Sequence, residues 1–132
     1  MKNIIQKSKE EELQLLKNCE TNAHTDIAGK QRFLNLMPLL NKINTPKLIL
    51  DVGGTLGTAK WLKIKFPQAK ITILNNSKKE ISSFPNNLIG NAENFKTERK
   101  YDLIFAGEIV EHLINTDGFI ASSLLALKKM VI

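Results

Sequence analysis

The spacing of apolar residues changes several times along the chain, and each change marks an element. From Ile4 to about Asn18 the pattern is that of an amphipathic helix rich in Lys and Glu, with Leu13, Leu15 and Leu16 as its apolar side. The pattern breaks between Cys19 and His24. Thr25-Asp26 then offers a cap for a second helix from about Ile27 to Ile43, with Phe33, Leu36, Met37 and Leu40 on its buried side. Pro38 lies inside that helix and predicts a kink or a helix in two parts, and Asn44-Thr45-Pro46 stops it.

From Leu48 onward the spacing shifts to short unbroken apolar runs: Leu48 to Leu50, Ile71 to Leu74, Leu88-Ile89, and the centre of Lys100 to Ala106. Such runs suit strands buried on both faces of a parallel sheet. Helical stretches separate them. Thr58 to Phe66 is closed by Pro67 and turns Trp61, Leu62 and Ile64 toward the core; Lys78 to Ser83 is capped by Ser77 and followed by a turn at Phe84-Pro85-Asn86-Asn87. Another helix is expected to start at Glu108. Asp117-Gly118 opens a last one, Phe119 to about Lys129, with Leu124, Leu125 and Leu127 apolar, and Met130-Val131-Ile132 begins a fifth strand. Strands alternating with helices predict an α/β fold around a parallel sheet, a three-layer α/β/α arrangement. The expected division is a helical extension over 1–45 and an α/β core over 46–132.

Composition narrows the class. At 132 residues, 42% hydrophobic and 24% charged, the chain can bury one modest globular core. No apolar run is long enough to span a bilayer, and no signal-peptide stretch opens the sequence. The single cysteine, Cys19, excludes an internal disulfide framework and fits a reducing compartment, so a cytoplasmic location is expected. The net charge of +6 is almost all lysine, with Arg32 and Arg99 the only arginines. These lysines are spread out and interrupted by acids, and aromatics do not alternate with them. That argues for solvated surface and against a nucleic-acid interface.

Two stretches carry chemistry. In Lys47-Leu48-Ile49-Leu50-Asp51-Val52-Gly53-Gly54-Thr55-Leu56-Gly57 an acid closes the first strand and glycines follow at the strand-to-helix turn. Glycine there lets the backbone bend tightly and approach a ligand. A dinucleotide fold wants its acid at the second strand and a glycine where Thr55 stands, so a nicotinamide dehydrogenase is disfavoured. The second stretch is Tyr101-Asp102-Leu103-Ile104-Phe105-Ala106-Gly107-Glu108-Ile109-Val110-Glu111-His112-Leu113. On a helix, Glu108 would lie beside both Glu111 and His112, a half-site for a divalent metal or a setting for His112 as general base. The structural reading is that the acids favour a helix N-terminus and His112 packs locally. His24 is the only other histidine, so no complete metal site is legible.

The pattern D-x-G-x-x-x-G after an apolar strand resembles motif I of the class I S-adenosylmethionine-dependent methyltransferases (type 11/12-like), and the second stretch resembles their motif IV. Gly90-Asn91-Ala92-Glu93 resembles the family's Gly-Asp-Ala segment. The resemblance implies a Rossmann-like methyltransferase fold with S-adenosylmethionine as cofactor and methyl transfer to an unidentified O, N or C nucleophile. By the same resemblance, Asp51 would hold water or the cofactor's amine, and Gly53, Gly54, Thr55 and Gly57 would give it backbone access. Asn75, followed by Asn76, would meet the ribose, and Asn91 with Ala92 the adenine. Ala106, Gly107 and Glu108 would line the methionine side, and Glu108, Glu111 and His112 would be the catalytic candidates. Asn75 and Asn91 depart from the family's acids; an amide can serve both roles but brings no charge.

The resemblance covers residues 47 to 132, supplying strands one to four and the start of a fifth, without counterparts of the family's last two strands. An incomplete sheet is therefore expected, with an apolar edge that invites self-association or a second chain. The competing reading is a non-catalytic, truncated subunit or remnant that works through a protein interface. The N-terminal helices resemble the extension that methyltransferases place beside the cofactor, although plain packing on the sheet explains them too.

Overall fold

The computed structural model describes residues 27–107 and 109–128, with only the backbone described for 27–32 and 111. The expected helix over Ile4 to Asn18, the Thr25-Asp26 cap, Glu108 and the strand at Met130 to Ile132 lie outside the described residues.

Helix α1 (Ile27–Leu40) contains Pro38 and is one element, not two. It stops short of the expected Ile43. Asn41 N still donates to Met37 O at 2.8 Å, and tighter turns follow, with Lys42 N on Leu39 O and Ile43 N on Leu40 O. Strand β1 (Leu48–Val52) comes next and runs through the glycine turn into α2 (Leu56–Lys65). That helix begins two residues before the expected Thr58 because Thr55 is its N-cap. The Thr55 hydroxyl accepts from Thr58 N at 3.4 Å, and the Thr58 hydroxyl accepts from Thr55 N at 2.9 Å. This reciprocal pair satisfies two otherwise orphaned N–H groups.

Strand β2 (Lys70–Asn75), helix α3 (Lys78–Ile81) and strands β3 (Asn87–Ile89) and β4 (Leu103–Phe105) complete the sheet, all parallel in the order β3-β2-β1-β4. Helix α3 is shorter than the expected Lys78 to Ser83, and Ser77 precedes it without a side-chain capping bond. Strand β4 is also shorter than expected. Tyr101, ahead of it, makes an isolated parallel bridge to Leu127, with Tyr101 N on Ala126 O at 2.7 Å and Lys128 N on Tyr101 O at 3.0 Å. The chain leaving α4 (Thr116–Ala126) thus lies beside the start of β4, on the side away from β1.

Side chains alternate across β1 and β2, so the sheet carries a core on each face. Ile49, Ile71 and Ile73 face Phe33 and Leu40 of α1, Trp61 and Leu62 of α2, and Ile81 of α3. The Phe33 ring sits 5.7 Å from Trp61 and 5.9 Å from Phe105, so α1 shares this core and Trp61 is a core residue. On the other face Leu50, Val52 and Leu74 meet Ala92, Phe95, Tyr101 and Ala126. At the amino ends of the strands, Asp102 Oδ2 accepts from Lys47 N and Leu48 N, at 3.0 and 2.9 Å, and Lys128 stands 3.4 Å from Oδ1. The Leu48 amide, against partial desolvation and with help from the Lys47 amide and Lys128, holds the Asp102 carboxyl below its ordinary range. This carboxylate fastens β1 to β4.

Candidate functional site

At the opposite end, the carboxyl ends of the parallel strands surround a cleft of about 410 Å³. Its walls are Gly53 after β1; Leu74, Asn75, Asn76 and Glu80 after β2; Gly90, Asn91, Ala92 and Glu93 after β3; and Ile109, His112 and Leu113 after β4. Ligands of open α/β sheets bind at this end of the strands, and the volume falls within the roughly 300–1,000 Å³ of small-molecule sites.

The floor is the β1–α2 turn. Gly53 has φ of +70°, and a Cβ there would stand 2.8 Å from Ile109 Cβ, so both conformation and space require glycine. Gly53 N donates to Leu74 O at 2.7 Å, which seats the turn on β2. Beneath it Asp51 is only 1% exposed. Thr58 Oγ1 donates to its Oδ2 at 2.7 Å, and a Cβ on Gly54 would lie 2.1 Å from the same oxygen. Asp51, Gly54, Thr55 and Gly57 therefore shape the turn from behind and are not on the cleft wall. Ala106 and Gly107 also lie off the wall.

Asn75, 9% exposed, closes β2. Its Nδ2 donates to Gly54 O at 2.9 Å and its Oδ1 accepts from Ser77 N at 2.8 Å. Carbonyl on one side and N–H on the other fix the orientation of the amide, and one N–H and one lone pair are left for a ligand. A carboxylate could not make the bond to Gly54 O, so the asparagine has a structural reason here. Asn91 Oδ1 accepts from Glu93 N at 2.9 Å, an Asx turn that holds the β3 loop and leaves the Nδ2 group for other bonds.

The segment after β4 differs from the sequence expectation. Where a helix was expected from Glu108, Val110–His112 forms a single 3₁₀ turn. His112 reaches the cleft wall from it, while Glu108 and the Glu111 side chain lie outside the described residues. Among the described residues no group of three or more His, Cys, Asp or Glu side chains could hold a metal. The turn is held by Glu93, whose Oε1 accepts from Ile114 N at 2.6 Å and Asn115 N at 2.9 Å. Asn115 then caps α4 through Gly118 N, so that helix starts at Thr116, ahead of the expected Phe119.

Of the residues the sequence pointed to, the structure brings Gly53, Asn75, Asn76, Asn91, Ala92 and His112 onto one wall. Sequence reasoning missed Leu74, Glu80, Gly90, Glu93, Ile109 and Leu113 as lining residues. Gly90, Glu93, Ile109 and Leu113 lie inside the two later motifs, and Leu74 and Glu80 stand one and five residues from Asn75; that position was the signal available.

A glycine turn after β1, parallel strands in the order β3-β2-β1-β4 and a cleft at their carboxyl ends define a Rossmann-like α/β fold. It is the fold of several solved methyltransferases. The plantazolicin methyltransferase BpumL, in complex with a pentazolic desmethylPZN analog and SAH, superposes with a TM-score of 0.65 at 21% identity, over 93% of this chain and 57% of that one. Coclaurine N-methyltransferase, bound to N-methylheliamine and SAH, gives 0.63 at 16% identity, over 76% and 34%. The O-methyltransferase from a trans-AT PKS multienzyme of Brevibacillus brevis, with S-adenosyl-L-homocysteine, gives 0.57 at 16% identity, over 83% and 44%. The chain thus spans between about a third and three fifths of the length of these proteins. No protein-family model matches the sequence, and no curated protein matches it significantly.

Proposed function

We propose that this chain is the cofactor-binding part of an S-adenosylmethionine-dependent methyltransferase. The observation that carries the reading is the strand-end cleft with Gly53 at its floor and Asn75 and Asn91 on its walls. The residues present fit an adenosyl ligand. The amides of Asn75 and Asn91 keep hydrogen-bonding capacity, Ala92 offers a small apolar surface, and Gly53 permits close backbone approach. The fold shared with SAH-bound methyltransferases supports the same ligand.

When bound, S-adenosylmethionine supplies a methyl group on a sulfonium that is already electrophilic, so the chain's part is positioning. Asp51, through Thr58, would fix the glycine turn; Asn75 and Asn76 would orient the ribose, and Asn91 and Ala92 the adenine. Ala106, Gly107 and Glu108 would border the methionine end. His112 would accept a proton from an acceptor hydroxyl or amine, with Glu108 and Glu111 nearby in sequence. The proposal includes the division into 1–45 and 46–132, a cytoplasmic location, and self-association or a second chain, which sedimentation velocity reads directly. Among the described residues no helix is long and apolar enough to cross a membrane.

Calorimetric titration with S-adenosylmethionine and SAH tests the reading. Micromolar binding is expected, lost in Gly90→Leu, since a Cβ on Gly90 meets nothing closer than Leu74 Cδ1 at 3.4 Å and a longer side chain would fill the cleft. Absence of heat and of thermal stabilisation at millimolar ligand would overturn it. A second reading, a non-catalytic subunit, is favoured by the commitment of Asn75 to Gly54 and Ser77, which reduces what it can offer a ribose. Cofactor binding without methyl transfer to any acceptor would support that reading.

A further inference from the structure

The cleft contains two described carboxylates, and they are not equivalent. Glu93 is committed to the Ile114 and Asn115 amides. Glu80 lines the same cleft, and its carboxylate makes no hydrogen bond or ion pair with any described residue. It sits on the short helix that follows β2. Ile81, fully buried, pins that helix to the sheet, and the Asn75 bond to Ser77 N fixes its start. Asn76 and Glu80, four residues apart, both face the cleft, while neighbouring Lys78 and Lys79 do not line it. Asn75, at the strand tip, is neutral and half used by the protein.

On the reading of this cleft as an adenosyl site, we propose that Glu80 is the ribose-binding carboxylate, carried on the helix after β2 and not on the strand tip. Its two oxygens accept from the vicinal 2′- and 3′-hydroxyls of the adenosyl group, and the remaining N–H and lone pair of Asn75 complete the contact. Exposed, and without a partner among the described residues, this carboxylate gives up water on binding. A hydroxyl bonded to a carboxylate is held about twice as strongly as one bonded to a neutral oxygen. The cleft then selects ligands with an intact ribose diol over deoxyribose analogues.

The test is titration of the full chain with SAH and with its 2′-deoxy analogue, for wild type and Glu80→Gln. Glu80→Gln is expected to raise the SAH dissociation constant about tenfold, the weight of one charge-assisted contact made neutral. The deoxy analogue should bind the wild type more weakly than SAH does, and the substitution should weaken it by a smaller factor. Because Glu80 is exposed, the variant should melt with the wild type, which separates lost contact from lost fold. SAH bound equally by wild type and variant would overturn the role of Glu80 and leave the cofactor reading standing. Failure of the wild type to bind SAH would overturn both.

Discussion

Replacing Asn75 by aspartate puts an acid at the tip of β2, yet it should destabilise this protein. The Asn75 amide donates to Gly54 O at 2.9 Å from a site only 9% exposed. Asn75→Asp removes that donor and turns a carboxylate oxygen toward the carbonyl it served. Losing a buried hydrogen bond and leaving its acceptor unpaired costs about 1–3 kcal/mol, and a charge in the low-dielectric turn adds to it. A total of about 2–3 kcal/mol corresponds to a fall in Tm of about 6–15 °C for a chain of this size. The effect carries its own pH signature. The introduced carboxyl is pushed above its ordinary value by burial and the facing carbonyl, and once protonated it can donate to Gly54 O again. A raised folded-state value means stability that is present at low pH and lost as pH rises through it. The gap between variant and wild type should therefore be widest near neutrality and narrow toward pH 4. Thermal melts across that range decide it. A variant as stable as wild type at neutral pH would refute the assigned role of Asn75 as the tie between the two strand ends.

Three further outcomes follow from the same geometry. Gly54→Ala should lower Tm by far more than a surface substitution and weaken ligand binding, because its Cβ would lie 2.1 Å from Asp51 Oδ2 and the turn must shift; an unchanged melt would contradict the packing. Thr58→Val should cost about 1–3 kcal/mol in chemical denaturation, since it strips the hydroxyl from a buried carboxylate and breaks the Thr55 capping pair. Asp102→Asn should destabilise at neutral pH. Because the Asp102 carboxyl is held low when folded, its contribution exists above the ordinary value of 3.8 and disappears as pH falls through the folded value, so the two melting curves should converge in acid.

What the chain revealed before folding was whatever local periodicity and turn chemistry encode. The runs at Leu48, Ile71, Leu88 and Leu103 became parallel strands, and the glycine turn lies where its spacing put it. What stayed hidden depends on partners distant in sequence. Nothing near Asp51 marks it as buried beneath the turn; that follows from Thr58 donating to it and Gly54 lying against it. The motif after β4 reads as a helix by spacing, but Glu93, some twenty residues away, takes the amides of Ile114 and Asn115 and leaves a 3₁₀ turn. Glu80 lies in no motif and reaches the cleft because Ile81 anchors its helix, while Ile109, inside the second motif but given no role there, reaches it by packing against Gly53.

The most direct test is the amide spectrum of the ¹⁵N-labelled chain titrated with SAH. Saturable shifts should cluster at Gly53, Asn75, Asn76, Gly90 to Glu93 and Ile109 to Leu113, with Lys47, Leu48 and Asp102 at the far ends of the strands unmoved. Shifts confined to those far ends, or none at millimolar ligand, would contradict an adenosyl site at the carboxyl edge of the sheet.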